Sequence, residues 1–173
     1  MEEAVDVVDT GGTVIGVSTR REVHASGAWH RGAHVLIFNS KDELLLQRRS
    51  MKKDKSPGTL DLSVSEHSKS GESYEETARR GLREELGIKG IRITKLLRFR
   101  MVYGPADNMV SELFSAKYVG SVKPDPSEIE EVVALGPGRL RQLVDEPGEK
   151  LAPWALELLR WYFHLPSKVE EIR

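Results

Sequence analysis

The chain has 173 residues, with 26 Lys and Arg against 27 Asp and Glu and no cysteine. That length carries one core and a single domain over 1–173. The net charge of -1 gives no ground for nucleic-acid binding, and the missing cysteines exclude disulfides, zinc thiolates and a cysteine nucleophile.

In chain order, Val5–Asp9 and Thr13–Val17 read as two short strands around the Gly11-Gly12 turn. Residues 33–39 form a mostly apolar strand, and Ser40-Lys41-Asp42 turns it into a partner over 43–49. Ser56-Pro57-Gly58-Thr59 is a turn. Leu60–Val64 alternates as a strand and leads to a helix over about 73–87. Strands follow over 91–103, 109–119 and 129–135, then a short helix over 137–144 and a last one over 152–165. No apolar run reaches the length of a membrane span, and the start Met1-Glu2-Glu3 is unlike a signal peptide. A cytoplasmic protein without membrane or nucleic-acid partners is expected; the sequence sets no oligomeric state.

The helix over 73–87 carries the chemistry. Ser73 with Glu76 is a capping box, and Gly87 stands where a left-handed cap ends a helix. Tyr74, Ala78, Leu82 and Leu86 recur every four residues as an apolar stripe, with Glu76, Arg80 and Glu84 on the opposite side. At about 100° per residue, Glu85 falls beside Tyr74 and Ala78, on the side that packs inward. A carboxylate there needs a cation, either an arginine or a metal ion. Mg²⁺ takes oxygen ligands and leaves room for substrate phosphates.

This run resembles the Nudix box of diphosphate-cleaving hydrolases, Gly-x5-Glu-x7-Arg-Glu-U-x-Glu-Glu-x-Gly-U, where U is a bulky aliphatic. Glu72, Arg80, Leu82, Glu84, Glu85, Gly87 and Ile88 match it. Glu66 stands in place of the first Gly, and Gly81 in place of the Glu after Arg. The resemblance implies a Nudix-type α/β/α sandwich with a mixed β-sheet, and a Mg²⁺- or Mn²⁺-dependent hydrolase of a nucleoside diphosphate derivative or other organic diphosphate. It implies Glu84 and Glu85 as metal ligands, Glu72 reaching the same end of the site as a further ligand, and Arg80 pairing with a carboxylate such as Glu72. With Glu absent at Gly81, Glu66 is the candidate to supply the missing carboxylate from the loop; a solvated Glu66 and an impaired enzyme is the alternative.

Outside the box, Trp29-His30-Arg31, 44–50 and Lys53-x3-Pro57-Gly58 look like the subgroup around isopentenyl diphosphate isomerase. That resemblance adds Arg20, Arg49 and Lys53 as diphosphate contacts, and Trp154 as an active-site tryptophan or a core residue. It adds His67 as a metal ligand and a second metal site on His30, His67 and Glu112, with His24 matching if one gap is allowed. Val110 replaces a glutamate and Ser65 the catalytic cysteine of that isomerase. Serine is a poor acid toward an allylic carbon, so isomerase activity is the alternative. A non-catalytic diphosphate-binding module is a third reading, motivated by Gly81. Tyr103 and Phe114 are stacking surfaces or core residues, and His34 and His164 receive no role.

Overall fold

The computed structural model of the chain describes residues 2–146 and 150–173, so Met1 of the acidic start lies outside the described residues. β1 (Ala4–Val8) and β2 (Val14–Thr19) pair antiparallel. Their turn closes on Asp9, whose carboxylate accepts from the N–H groups of Gly11 and Thr13. A short helix follows that the sequence reading lacks, α1 (Arg20–Ser26). Thr19 and Glu22 make a capping box, and Gly27, at φ 74°, ends the helix in the left-handed region. Only Val23 of its seven residues is buried, so no apolar repeat announces it.

β3 (His30–Phe38) is the hub of the sheet. It runs parallel to β8 and antiparallel to β1, β6 and β4. It begins three residues before the expected strand. His24 and His30 therefore sit on α1 and β3. β4 (Leu44–Arg49) pairs with β5 and β9. The single strand expected over 60–64 is two, β5 (Leu60–Asp61) and β6 (Val64–His67). Ser63 explains the break: its hydroxyl takes the Ile37 N–H at 2.8 Å and donates to the Leu45 carbonyl at 2.5 Å. The chain thereby leaves β4 and joins β3.

α2 (Tyr74–Leu86) has its caps where the sequence puts them, with the Ser73–Glu76 box and Gly87 at φ 67°. β7 (Thr94–Gly104) and β8 (Asp107–Lys117) form a hairpin, and β9 (Ile129–Leu135) leads into α3 (Pro137–Asp145). α4 (Pro153–Tyr162) stops before the expected 165, and β10 (Glu170–Ile172), absent from the sequence reading, pairs with β7. The path through the sheet is β10-β7-β8-β3-β1-β2, with β4, β5, β6 and β9 attached through β3 and β4.

The sheet is mixed and its two faces are covered by different helices. Tyr74, Ala78, Leu82 and Leu86 of α2 pack on Ala33, Val35, Ile37, Val64 and Phe114. On the other face Leu140 and Val144 of α3 and Leu158 and Leu159 of α4 pack on Leu36, Leu46, Phe99 and Leu113. Each such side chain contributes about 1.5–3 kcal/mol on burial. The result is the expected α/β/α layering. No helix among the described residues is long and apolar enough to cross a membrane.

Candidate functional site

The acidic centre starts from Glu85. It is 7% exposed, as its place on the helical wheel demands. Its Oε1 accepts from Gln47 Nε2 at 3.3 Å, while Oε2 is buried with no partner. Burial, with the charge of Glu66 next, pushes its carboxyl well above the ordinary range. A buried carboxylate oxygen with nothing to accept is the environment a cation would correct. Glu84, one residue earlier, is half exposed at the same helix end. Glu66 on β6 is partly buried, and burial raises its carboxyl as well.

Gly81 ties these groups together. A Cβ at Gly81 would lie 3.4 Å from Glu85 Oε2 and 3.5 Å from Glu66 Cβ, and would clash with Val64 Cγ1. The strand residue Val64 fills the space that a side chain at 81 would need. The stem of Glu66 passes beside the bare helix backbone.

Arg80 is not on a solvated stripe; it is 8% exposed. It donates to Glu72 at 2.7 and 3.0 Å and to the His67 carbonyl at 2.7 Å, and lies 3.6 Å from both Glu66 and Glu84. The pairing with Glu72 is as expected. Glu72 itself is not brought to the metal-ligand position assigned to it. Both its oxygens are engaged, by Arg80, the Lys69 N–H and Thr77 Oγ1. Against the upward push of burial, these donors hold its carboxyl below the ordinary range. Glu72 positions Arg80, and Arg80 spans Glu66 and Glu84.

These acids open into a cavity of about 260 Å³ that also receives Arg20, Arg49, Lys53, Lys55 and Lys69. Arg20 reaches it from α1. Lys53 reaches it while paired with Glu128. Arg49 is less free than expected, because it donates to the Lys55 carbonyl at 3.0 Å and to Asp61 at 3.1 Å and lies over Trp154. Trp154, read as an active-site or a core residue, packs in the core and lines the cavity. Tyr103 does the same, whereas Phe114 is core alone on the α2 face.

A second group of donors lies on the other face of β6. One ligand atom each from His24, His30, His67 and Asp107 lies within 4.8 Å of the others. The Nε2 atoms of the three histidines and Asp107 Oδ1 are buried without hydrogen-bond partners, with His30 Nε2 and His24 Nε2 lying 3.7 and 4.0 Å from Asp107 Oδ1. His30 Nδ1 faces the Ala28 carbonyl at 3.1 Å; donating there leaves Nε2 as a bare lone pair. Burial lowers all three rings, His67 most, and so favours the neutral form that binds metal. Lys55 lies 2.7 Å from His24 Nδ1 and 3.0 Å from Asp107 Oδ2; an ammonium only donates, so His24 Nδ1 accepts, the neutral ring carries its proton on Nε2, and His24 offers a lone pair to a metal only when Lys55 releases it. Imidazoles with one carboxylate suit a transition ion, while the glutamates suit Mg²⁺ or Mn²⁺.

Glu112 does not join the histidines. Side chains alternate along β8, so Glu112 shares the α2 face with Val110 and Phe114, where it takes Arg98 at 2.8 Å and Lys95 at 3.5 Å. Asp107, on the opposite parity, faces the histidines. Sequence reading missed it; the signal was its odd-numbered place with Met109 and Leu113, whose side chains enter the other core.

A mixed sheet between helices, with acids from one helix end and the adjoining strand meeting in a cation-rimmed cavity, defines the class as an α/β sandwich with a composite acidic site. The chain belongs to the Nudix family: the NUDIX domain model matches residues 28–162. An uncharacterized Nudix hydrolase of Yersinia pestis is 34% identical over 144 residues, 83% of this chain and 79% of that protein. The isopentenyl-diphosphate Delta-isomerase 1 of Aromatoleum aromaticum is 34% identical over 134 residues, 76% of each. Among solved structures, DR0079 of Deinococcus radiodurans superposes with a TM-score of 0.77 at 26% identity, covering 92% of this chain and 98% of that one.

Proposed function

We propose that this protein is a divalent-metal-dependent hydrolase of an organic diphosphate, a nucleoside diphosphate derivative among the candidates. The observation that carries the reading is the unpartnered, buried Oε2 of Glu85 beside Glu66 and Glu84. Glu66, Glu84 and Glu85 would hold one or more Mg²⁺ or Mn²⁺ ions; bound there, the metal offsets charge on the diphosphate oxygens and activates water. Glu66 supplies from the strand the carboxylate that Gly81 cannot supply from the helix. Arg80, locked by Glu72, keeps Glu66 and Glu84 in register. Arg20, Lys53 and the unengaged N–H groups of Arg49 offset the remaining phosphate charge.

The test is a phosphate-release screen over nucleoside diphosphate sugars, dinucleotides and nucleoside triphosphates with Mg²⁺ or Mn²⁺. Glu85→Gln should abolish turnover in a folded protein. No cleavage of any substrate, or most activity surviving in E85Q, would overturn the reading.

The histidine group favours a second reading, an isomerase-like enzyme in which His24, His30, His67 and Asp107 would hold the metal. Ser65 argues against it, since its hydroxyl proton is committed to Asp61 at 2.8 Å. Conversion of isopentenyl to dimethylallyl diphosphate, followed by NMR, decides that reading.

A further inference from the structure

The wall of the cavity away from the glutamates is a chain of hydrogen bonds whose proton positions can be deduced. Asp61, on β5, is fully buried. Its Oδ1 accepts from the Leu62 N–H at 2.7 Å and from Trp154 Nε1 at 2.9 Å, and its Oδ2 accepts from Arg49 at 3.1 Å. Each of those groups can only donate. Ser65 Oγ lies 2.8 Å from the same Oδ1. Two oxygens that close need a proton between them, and the carboxylate has none to give, so it is the proton of Ser65.

The remaining positions follow in turn. His34 Nδ1 is 2.8 Å from Ser65 Oγ, so the proton in that contact belongs to the ring. His34 is 2% exposed and burial pushes its pKa down to about 3, so the imidazole is neutral and carries that one proton. Nε2 is then bare, and its 2.6 Å contact with Tyr103 uses the phenol hydrogen. The 3.0 Å contact of Tyr103 with Ser111 uses the hydrogen of Ser111. The donor hydrogens of Ser65, His34, Tyr103 and Trp154 all point into the protein. Ser65, partly exposed on the cavity wall, keeps one lone pair unspent.

We propose that this acceptor-only wall selects diphosphates whose alcohol part carries hydroxyl groups, a compact polyol or sugar, over diphosphates of plain hydrocarbon alcohols. The proposal rests on the reading above, that the cavity receives a diphosphate. The lining differs in kind: Arg20 and Lys53 present donors to phosphate, Arg49 joins them from beside Asp61, and Ser65, on the other oxygen of Asp61, presents an acceptor to what the phosphate is attached to. A hydroxyl there gains a hydrogen bond, whereas a methylene leaves the Ser65 lone pair desolvated and unmet. At about 260 Å³ the cavity sits at the small end of ligand sites, which run from about 300 Å³ upward. That favours a compact group.

The test is calorimetric binding of ribitol 5-diphosphate and n-pentyl diphosphate to the full chain with Mg²⁺, with phosphate release followed on the same samples. The wild type should bind the ribitol compound about tenfold more tightly. Ser65→Ala should bring the ratio of the two affinities to within about twofold of unity. Equal or reversed wild-type affinities, or no binding of either compound, would overturn the proposal, as would a folded S65A protein that keeps the preference. If S65A does not fold, Ser65→Cys and the wild-type ratio decide the matter. A tenfold preference with no phosphate released would leave the selectivity standing and remove the hydrolase reading instead.

Discussion

Glu66 and His67 are neighbours in β6, yet they belong to opposite regimes. Glu66 turns toward α2 and meets Glu84, Glu85 and Arg80; His67 turns to the other face and meets His24, His30 and Asp107. Burial acts on both sets by disfavouring charge. On the acidic side it drives Glu66 and Glu85 upward, toward a protonated form that cannot ligate well. On the histidine side it drives the rings downward, toward the neutral form that already exposes a lone pair. The carboxylates therefore need a cation to remain charged, whereas the rings of His30 and His67 are already in the neutral form that ligates, though their buried Nε2 atoms go unmet. One fold thus holds a site that must gain charge to take metal beside one whose rings need no change of charge.

Glu85→Gln breaks that contrast most severely. Under the proposed function, turnover should fall by about a thousandfold, the size of losing a principal electrostatic group. In EDTA the same variant should be more stable than wild type by about 1–3 kcal/mol, because an unmatched buried carboxyl has been replaced by a neutral amide. Urea unfolding of both proteins with and without Mg²⁺ measures this. Wild type alone should gain stability from the ion, and an E85Q protein destabilised in EDTA would refute the account of Glu85. Glu66→Gln should be milder, about a hundredfold in kcat with a weaker apparent affinity for Mg²⁺. A magnesium titration of the rate reads both effects, and an unchanged curve would return Glu66 to a solvated role.

The acidic side was largely legible in the sequence because it is local. α2 carries Glu84, Glu85 and Arg80 on one periodic element with both caps marked, and period 3.6 alone puts Glu85 inward. The commitment of Glu72 was not legible, since it depends on the Lys69 N–H and Thr77 folding over its second oxygen. The histidine side draws on α1, β3, β6 and β8. No periodicity links four elements, so only family resemblance placed His30 and His67 together, and it named Glu112 where the parity of β8 brings Asp107. α1 escaped because its seven residues bury only Val23. The division of β5 from β6 escaped because it is made by the hydroxyl of Ser63, a long-range contact invisible in the alternation of 60–64.

Removing one imidazole sharpens the other half of the comparison. His67→Asn should lower the affinity for Co²⁺ about tenfold to a hundredfold, read from its visible absorption bands. An unaltered spectrum and affinity would mean that these rings do not act as ligands. Gly81→Ala tests the packing between the two regimes. Alanine favours a helix by about 1 kcal/mol over glycine, but its Cβ would collide with Val64 Cγ1. Overpacking of that kind costs about 1–3 kcal/mol, so the variant should be no more stable than wild type and up to about 2 kcal/mol less. A clear gain in stability would show that Val64 yields easily.

His34 isolates the effect of burial on an imidazole, because charged neighbours such as Lys55 and Arg20 add to burial in lowering His24 and His67. It is as buried as His30, its hydrogen-bond partners are Ser65 and Tyr103, and burial is the one cause of its fall to about 3. An unfolded histidine titrates near 6.5. Its folded value lies below the unfolded one, so between the two the unfolded chain binds more protons. Stability from His34 is then complete above about pH 6.5 and is lost as pH falls toward 3, with roughly 1 kcal/mol gone between pH 7.5 and 6. The three metal-corner histidines shift in the same direction, whereas Glu66 and Glu85 shift in the opposite one, so a bulk stability curve mixes them. The ring resonance of His34 separates its share: it should not move from pH 7.5 to pH 5.5. A titration midpoint above about 5 would mean that the network from Asp61 to Ser111 accepts a proton, and that desolvation alone does not govern this imidazole.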